Sequence, residues 1–136
     1  MYNGSMVDAA DVFLAKARES LAGAESEFAH GRYNNCANRC YYACFQGAIH
    51  SLAKAGIKPR SDQWSHSFVQ AQFVGQLIHR RKVYPASLRD ILDRAFAIRV
   101  TADYEVEQVN HLRAERILRS AREFHNAILA AQGDRQ

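Results

Sequence analysis

The sequence predicts an all-α, up-and-down bundle of about five helices in a single domain. Apolar residues recur at spacings of three and four over most of the 136 residues, which is the period of an amphipathic helix. No segment alternates apolar and polar residues between turn residues, so no strand is predicted. Only two prolines interrupt the chain, and a domain of this length can bury a full core.

The first two predicted helices carry the longest apolar patterns. Asp8 or Ser5 can cap the first helix, whose heptad-like apolar stripe consists of Val7, Ala10, Leu14, Ala17, Leu21, Ala24 and Phe28. Gly31 breaks this pattern in a short turn. The second helix runs from about Asn34 to Gly56 and is apolar on more than one side, so we expect it to be the most buried element.

Three further helices follow a loop at residues 57–65. Ser65 is a good N-cap for the third helix, and Pro85 fits the first turn of the fourth. A connector at residues 105–110 precedes the fifth helix. The expected bounds of these three helices are about residues 66–79, 85–102 and 111–131.

The chain reads as one domain with short ends. Residues 1–5 read as a loose leader, residues 6–131 as the helical domain, and residues 132–136 as a C-terminal tail. No apolar run approaches the about 20 residues that a membrane span needs, and no signal peptide is visible. We therefore expect a soluble, cytoplasmic protein.

Three cysteines, Cys36, Cys40 and Cys44, lie four residues apart and therefore line one helix face. Cysteines at this helical spacing do not present disulfide geometry without strain. A metal site would need a further ligand and a less collinear arrangement. We expect small buried side chains in a reducing compartment, with no metal site and no cofactor.

Positive charge is concentrated in one third of the chain. The net charge of +4 comes from 18 Lys and Arg residues against 14 Asp and Glu residues, and residues 80–122 alone hold ten of the former and six of the latter. A surface made mostly of arginine suits a phosphate or an acidic partner. A solvated helix face of mixed charge would show the same composition.

The end of the fourth predicted helix brings together three polar side chains. Arg99 lies beside the apolar face, and Asp103 follows four residues later on the same face, so the two can pair. Tyr104 adds a phenol at the helix end. Such a group is either an ion pair that ends a helix or a functional cluster beside the core.

Four short motifs follow one another on successive predicted helices. They are Arg39-x-Tyr41-Tyr42-Ala43-x-Phe45, His66-Ser67, Arg99-x-x-Ala102-Asp103-Tyr104 and Ala121-x-x-Phe124. In this order they resemble the HEPN family (higher eukaryotes and prokaryotes nucleotide-binding domain), over roughly residues 28–128. The resemblance implies an α-helical bundle, and a homodimer built around the helices that carry the motifs.

The resemblance also implies a function. Family members often act beside a small nucleotidyltransferase in toxin–antitoxin pairs, and many are metal-independent ribonucleases. Those enzymes carry an Arg followed, after four to six residues, by a His, and two copies of this pair face each other across the dimer.

The histidine of that pattern is missing here. The matching arginine is Arg99, the position five residues later is Tyr104, and the next histidine is His111. Without an imidazole the site lacks the usual group that exchanges protons near neutral pH, and a tyrosine, with a pKa of about 10, is a poor general base. The chain thus resembles a branch of the family that lacks the ribonuclease histidine.

Two other pairs match the same pattern, Arg60 with His66 and Arg119 with His125. The first straddles a predicted loop, and the second lies within the last helix, where residues six apart do not share a face. We expect both to be chance matches, because the chain holds six histidines and many arginines.

These observations leave three functions open. We expect a HEPN-like homodimeric interaction module that is non-catalytic and associates with a small nucleotidyltransferase partner, an RNA, or both, in a toxin–antitoxin type system. The alternative is a metal-independent ribonuclease toxin in which Arg99 holds the scissile phosphate and His66 or Tyr104 replaces the base. A plain structural bundle is the third, and the basic third of the chain argues against it.

The candidate residues follow from these alternatives. The candidate catalytic residues are Arg99, Asp103, Tyr104 and His66. The residues expected to contact RNA or the protein partner are Arg39, Arg80, Arg81, Lys82, Arg113, Arg116 and Arg119.

Overall fold

The second helix lies at the centre of the bundle, and every other helix packs against it. In the computed structural model, which describes residues 8–134, the chain forms α1 (Ala9–Ala29), α2 (Tyr33–Lys54), α3 (His66–Gln72, continued as a π-helix over Phe73–Arg80), α4 (Ile91–Tyr104) and α5 (His111–Asp134). The described residues contain no strand, which confirms the predicted all-α bundle. None of the helices in this part of the chain combines the length and the apolarity of a membrane-crossing segment.

The start of α1 is set by a side-chain cap. The carboxylate of Asp8 accepts a hydrogen bond from the backbone N–H of Ala10 at 2.9 Å, which is the predicted N-cap contact. The buried residues of α1 are Ala10, Leu14, Ala17, Ser20 and Ala24. The alternative cap Ser5, the stripe residue Val7 and the predicted leader at residues 1–5 lie outside the described residues.

Glycine turns end the first two helices, as predicted. Gly31 follows α1 with a φ of 74°, and Gly56 follows α2 with a φ of 80°, a left-handed conformation that glycine adopts without steric penalty. Between these turns α2 is buried on more than one side. Its buried small residues are Cys36, Ala37, Cys40, Ala43, Cys44, Gly47 and Ala48.

The three cysteines are small core residues, as the sequence predicts. Cys36, Cys40 and Cys44 are all buried and none forms a disulfide. Burial raises the pKa of the Cys44 thiol to about 12. This thiol therefore stays protonated at neutral pH and packs as an apolar side chain.

The fourth helix begins later than Pro85, where the sequence predicts its first turn. Pro85 is extended, with a φ of −73° and a ψ of 157°, and a single 3₁₀ turn over Ala86–Leu88 follows it. Leu88 is buried, so packing holds this turn in place before α4 starts at Ile91. α4 then ends at Tyr104, slightly beyond the expected end.

The third and fifth helices differ from the prediction in detail. Ser65 caps α3 as predicted, because its hydroxyl accepts a hydrogen bond from a backbone N–H in the first turn. The second half of this helix is π-helical, and the N–H of Arg81 bonds to the carbonyl of Gln76, five residues earlier. α5 continues to Asp134, so residues 132–134 of the predicted tail are helical.

Three helices meet at Gly47, which gives a first prediction. A Cβ atom at Gly47 would lie at an ordinary contact distance of 3.9 Å from the Cβ of Ala17, but only 2.9 Å from Ile128 Cδ1, so the buried Ile128 side chain of α5 would have to shift to admit a methyl group. We expect Gly47→Ala to lower the free energy of unfolding by about 1 kcal/mol in chemical denaturation, because overpacking outweighs the gain in helix propensity.

Two variants test the cause of this effect. Gly75 lies in a helix with open space around it, so Gly75→Ala should raise stability instead. Ile128→Val removes the Cδ1 atom, and the cost of Gly47→Ala should shrink in that background. An equal cost in both backgrounds would show that the contact with Ile128 is not responsible.

His125 gives a second prediction, on pH. This side chain is 6 % exposed, and its Nδ1 has no hydrogen-bond partner among the described residues. Burial, together with Arg18 of α1, lowers the pKa of His125 below its ordinary value of 6.5, although Glu25 opposes this. As the pH falls, the unfolded chain binds a proton at His125 before the folded protein does, and this favours unfolding. The stability linked to His125 is therefore complete above about pH 6.5 and decreases as the pH falls below that value.

The measurement is the melting temperature of the natural protein and of His125→Gln at about pH 7.5 and pH 5.5. The natural protein should lose stability on acidification, and His125→Gln should lose less. His79 is an exposed histidine, so His79→Gln should keep the full dependence. An identical dependence in all three proteins would assign it to another group.

Candidate functional site

Two motifs meet between α2 and α4. The contacts of Asn38 with Asp103 and of Tyr41 with Phe96 show that these two helices run antiparallel. Arg99 Nη1 donates to Asp103 Oδ2 at 3.2 Å, which confirms the predicted pair. Asn38 Nδ2 donates to the same oxygen at 3.0 Å. The Arg99 cluster, as we call this group, consists of Asn38, Tyr41, Tyr42, Phe96, Arg99 and Asp103.

The Arg99 guanidinium is held against three aromatic rings. Its Cζ lies 5.0 Å from the ring centroid of Tyr41, 5.3 Å from that of Phe96 and 5.8 Å from that of Tyr42, within the range of cation–π attraction. Only 15 % of the Arg99 side chain is exposed. The two tyrosines of the second-helix motif therefore form the surface on which the arginine of the fourth-helix motif rests.

Arg99 remains charged in this environment. Burial favours the neutral form, but the phenol of Tyr104, the other tyrosines and Asp103 outweigh it and raise the pKa of Arg99. Its Nε is buried without a hydrogen-bond partner among the described residues, although a guanidinium has five N–H donors. Arg99 therefore keeps its positive charge, and a guanidinium can hold an anionic group such as a phosphate through paired N–H donors.

Asn38 links the cluster to a second arginine. Its Oδ1 accepts hydrogen bonds from Arg39 Nε at 3.0 Å and from Arg39 Nη2 at 2.8 Å. The Arg39 guanidinium carbon lies 5.1 Å from the ring centroid of Tyr42, so Tyr42 contacts the guanidinium groups of both Arg39 and Arg99. Arg39 also borders a groove of about 390 Å³ between α1 and α2.

Sequence reasoning missed Asn38 as a site residue. The only local signal was a polar side chain in an otherwise apolar helix, directly before the Arg39 motif. Its contact with Asp103 depends on how two helices face each other, which spacing along one helix does not show.

His66 lies beside the Arg99 cluster. Its ring stacks on Phe96 with a centroid distance of 4.2 Å. Its Nε2 is 2.8 Å from Asp93 Oδ1, and its Nδ1 is 3.1 Å from the hydroxyl oxygen of Tyr41. Asp93, in the first turn of α4, is a second residue that sequence reasoning missed.

Both ring nitrogens of His66 are therefore occupied. Tyr41 is 4 % exposed, and burial raises its pKa to about 12, so its hydroxyl stays protonated at neutral pH. The hydrogen-bonded chain from Asp93 through His66 thus ends in the core. In this arrangement His66 joins the start of α3 to α2 and α4 and presents no free nitrogen.

Tyr104 ends α4 at the surface, where it is 76 % exposed. Val106, in the connector after α4, is fully exposed, and Leu112, in the first turn of α5, is 48 % exposed. These three side chains lie in the connector between α4 and α5 or at its two ends, and we call them the connector patch. Of the three, Tyr104 adjoins the Arg99 cluster, because it directly follows Asp103 in the chain and its phenol bears on the pKa of Arg99.

The predicted basic contacts lie at two ends of the bundle. Arg81 Nη1, in the basic segment 80–82, donates to the carbonyl of Ala55 just beyond the C-terminal end of α2, at 3.3 Å. α5 begins beside the opposite end of α2, where the N–H of Val109 donates to Asn34 Oδ1 at 2.9 Å. These two ends are about 30 Å apart, which is the length of α2. The α5 residues Arg113, Arg116 and Arg119 therefore form a group separate from the basic segment 80–82.

The two chance matches to the Arg–His pattern do not form pairs. His125 is buried while Arg119 is exposed. Arg60 is exposed in the loop before α3, and the nitrogens of His66 are taken by other residues. Across residues 8–134, no group of three or more His, Cys, Asp or Glu side chains is close enough to hold a metal ion.

The comparisons with known proteins concern the whole bundle. The family model described as the HEPN domain matches residues 10–131. This range includes the Arg99 cluster, His66 and nearly all of the first and last helices. A comparison with curated proteins finds no match. Because the family match covers most of the 136 residues, the chain belongs to the HEPN domain family.

Proposed function

We propose that this chain is a homodimeric HEPN interaction module without catalytic activity of its own. In this proposal it associates with RNA, with a small nucleotidyltransferase protein, or with both, in a toxin–antitoxin type system. The observation that carries the proposal is that Arg99 is held charged while both nitrogens of the neighbouring His66 are occupied. The cluster offers a cation to a phosphate but no free imidazole.

Ribonuclease chemistry at this site would lack proton transfer. An arginine stabilises developing charge, whereas a positioned acid or base contributes a further factor of about 10²–10⁴. Tyr104 stands at the position of the family's histidine, and a phenol is a poor base near neutral pH. Asp103 already accepts hydrogen bonds from Arg99 and Asn38. The arrangement is therefore better suited to binding than to cleavage.

A ribonuclease is the second candidate because of the contact between Asp93 and His66. A carboxylate that orients an imidazole is the usual arrangement of a general base, and the two groups lie 2.8 Å apart here. To act as a base, His66 would have to release the hydroxyl of Tyr41. A substitution at His66 therefore distinguishes the two candidates.

We expect the purified natural protein to leave total RNA intact in the absence of metal. We attribute the expected lack of cleavage to the missing imidazole. Tyr104→His restores the family's Arg–His pattern, so this variant can gain cleavage. The measurement is the length of the RNA on a gel after incubation with equal amounts of each protein.

Arg99→Ala and His66→Gln are the control variants, each checked for folding by a thermal melt. Cleavage by the natural protein that Arg99→Ala abolishes would overturn the non-catalytic proposal. If His66→Gln also abolishes it, the second candidate is correct.

Exposed apolar side chains support the homodimer in this proposal. The connector patch begins at Tyr104, directly after Asp103 of the Arg99 cluster, and in the family the motif-bearing helices face each other across a dimer. Apolar surface exposed on a small domain often marks an interface. We therefore propose that the dimer contact includes Tyr104, Val106 and Leu112.

Light scattering at micromolar concentration should give the mass of a dimer for the natural protein. The double variant Val106→Asp, Leu112→Asp should be a monomer, because the interface would bury two unpaired charges. Val12 is an exposed apolar residue on α1, so Val12→Asp should remain a dimer. A monomeric natural protein contradicts the homodimer, and dissociation by Val12→Asp contradicts this choice of surface.

A further inference from the structure

A second basic site lies on a different face of α4 from the Arg99 cluster. A groove of about 270 Å³ runs between α4 and α5, and it is lined by Arg94, Ala97, Ile98, Arg113, Arg116 and Ile117. We call it the three-arginine groove. Arg94 is not among the residues predicted to bind RNA, because only the packing of α4 against α5 brings it beside the arginines of α5.

The arginines of this groove have more N–H donors than the acceptors around them use. Arg94 donates to a serine hydroxyl of α5 at 3.3 Å, and its Nε lies 3.6 Å from Asp90 Oδ1. Arg113 Nη1 donates to Glu107 Oε2 at 3.2 Å. Arg116 forms no ion pair with any residue in the described part of the chain. Two acids thus face three guanidinium groups, which leaves positive charge and unused N–H groups.

The exposure of these side chains makes the charge accessible. The side chains of Arg94 and Arg113 are 49 % and 38 % exposed, and Arg116 is an exposed residue. Arg113 and Arg116 are three residues apart on α5, so they lie about 5–6 Å from each other at their Cβ atoms. Arg94 approaches from α4, so the guanidinium groups of all three arginines can contact one bound chain.

The chemistry of the groove favours a phosphodiester chain. Guanidinium groups bind phosphate oxygens through paired N–H donors. The floor between them is aliphatic, from Ala97, Ile98 and Ile117, and offers a surface for sugars and bases. An acidic peptide helix would instead need a row of apolar pockets for its anchor side chains, which this short floor does not supply.

We propose that the three-arginine groove binds the phosphate backbone of single-stranded RNA. This inference rests on the RNA association in the proposed function, and it adds both the location and the residue Arg94. Positively charged grooves that follow the backbone are the general means by which proteins hold single strands.

The test is fluorescence anisotropy with a labelled oligouridine of about 12 nucleotides, measured on the full chain between about 50 and 200 mM salt. The groove variant is Arg94→Ala, Arg116→Ala. The matched control is Arg18→Ala, Arg60→Ala, which removes the same charge at exposed positions on α1 and in the loop before α3. A thermal melt confirms that each variant is folded.

Each phosphate contact to a single strand contributes about 0.7 to the slope of log affinity against log salt. The groove variant should therefore bind more weakly and lose about 1.4 of that slope, while the control variant keeps the natural slope. Equal losses in both variants would show a general charge effect and overturn the proposal. An unchanged groove variant would overturn it too, while leaving RNA association in place.

Two further outcomes separate this inference from the proposed function. If the natural protein binds no RNA, the RNA association fails and the groove assignment fails with it. If a poly-glutamate peptide of equal charge displaces the RNA and loses affinity for the groove variant in the same way, the groove serves an acidic protein partner, and the RNA assignment is wrong.

Discussion

The rest of the structure depends on the close packing of α2 against its neighbours. Small side chains on several sides of α2 allow this approach, and at Gly47 the side chain of Ile128 occupies the space that a methyl group would need. Every other helix contacts α2, so each is positioned by this one element. The same packing turns Tyr41 and Tyr42 toward α4, where they meet Arg99.

The burial of Arg99 follows from that arrangement. Moving a cation out of water is costly, and here Asp103 and the aromatic rings offset the cost. These partners come from two different helices, so the cluster exists only when α2 and α4 are packed. The charge of Arg99 is thus held in place by packed partners, and the neighbouring His66 is engaged by Asp93 and Tyr41. The cluster therefore presents a fixed cation with no free imidazole nitrogen from His66 beside it.

Most of the fold could be predicted from local patterns in the sequence. Helix number, the caps at Asp8 and Ser65 and the turn at Gly31 depend on residues close together in the chain. The beginning of α4 could not be predicted, because Pro85 is equally compatible with a first helical turn and with an extended residue before one. In the structure Pro85 is extended, and the 3₁₀ turn that follows it buries Leu88 in the core. The π-helical half of the third helix could not be predicted either, because the spacing of apolar residues does not indicate it.

In the candidate site, the sequence by itself determined the pair of Arg99 and Asp103, because residues four apart on a helix are neighbours. Only the tertiary structure joined Asn38 to that pair and placed Arg94 beside the arginines of α5. The same holds for the two hydrogen bonds of His66. All these contacts join residues that are distant in the chain, so they depend on how the helices are rotated against one another. That rotation is set by the packing of the whole core, which no single segment of the sequence encodes.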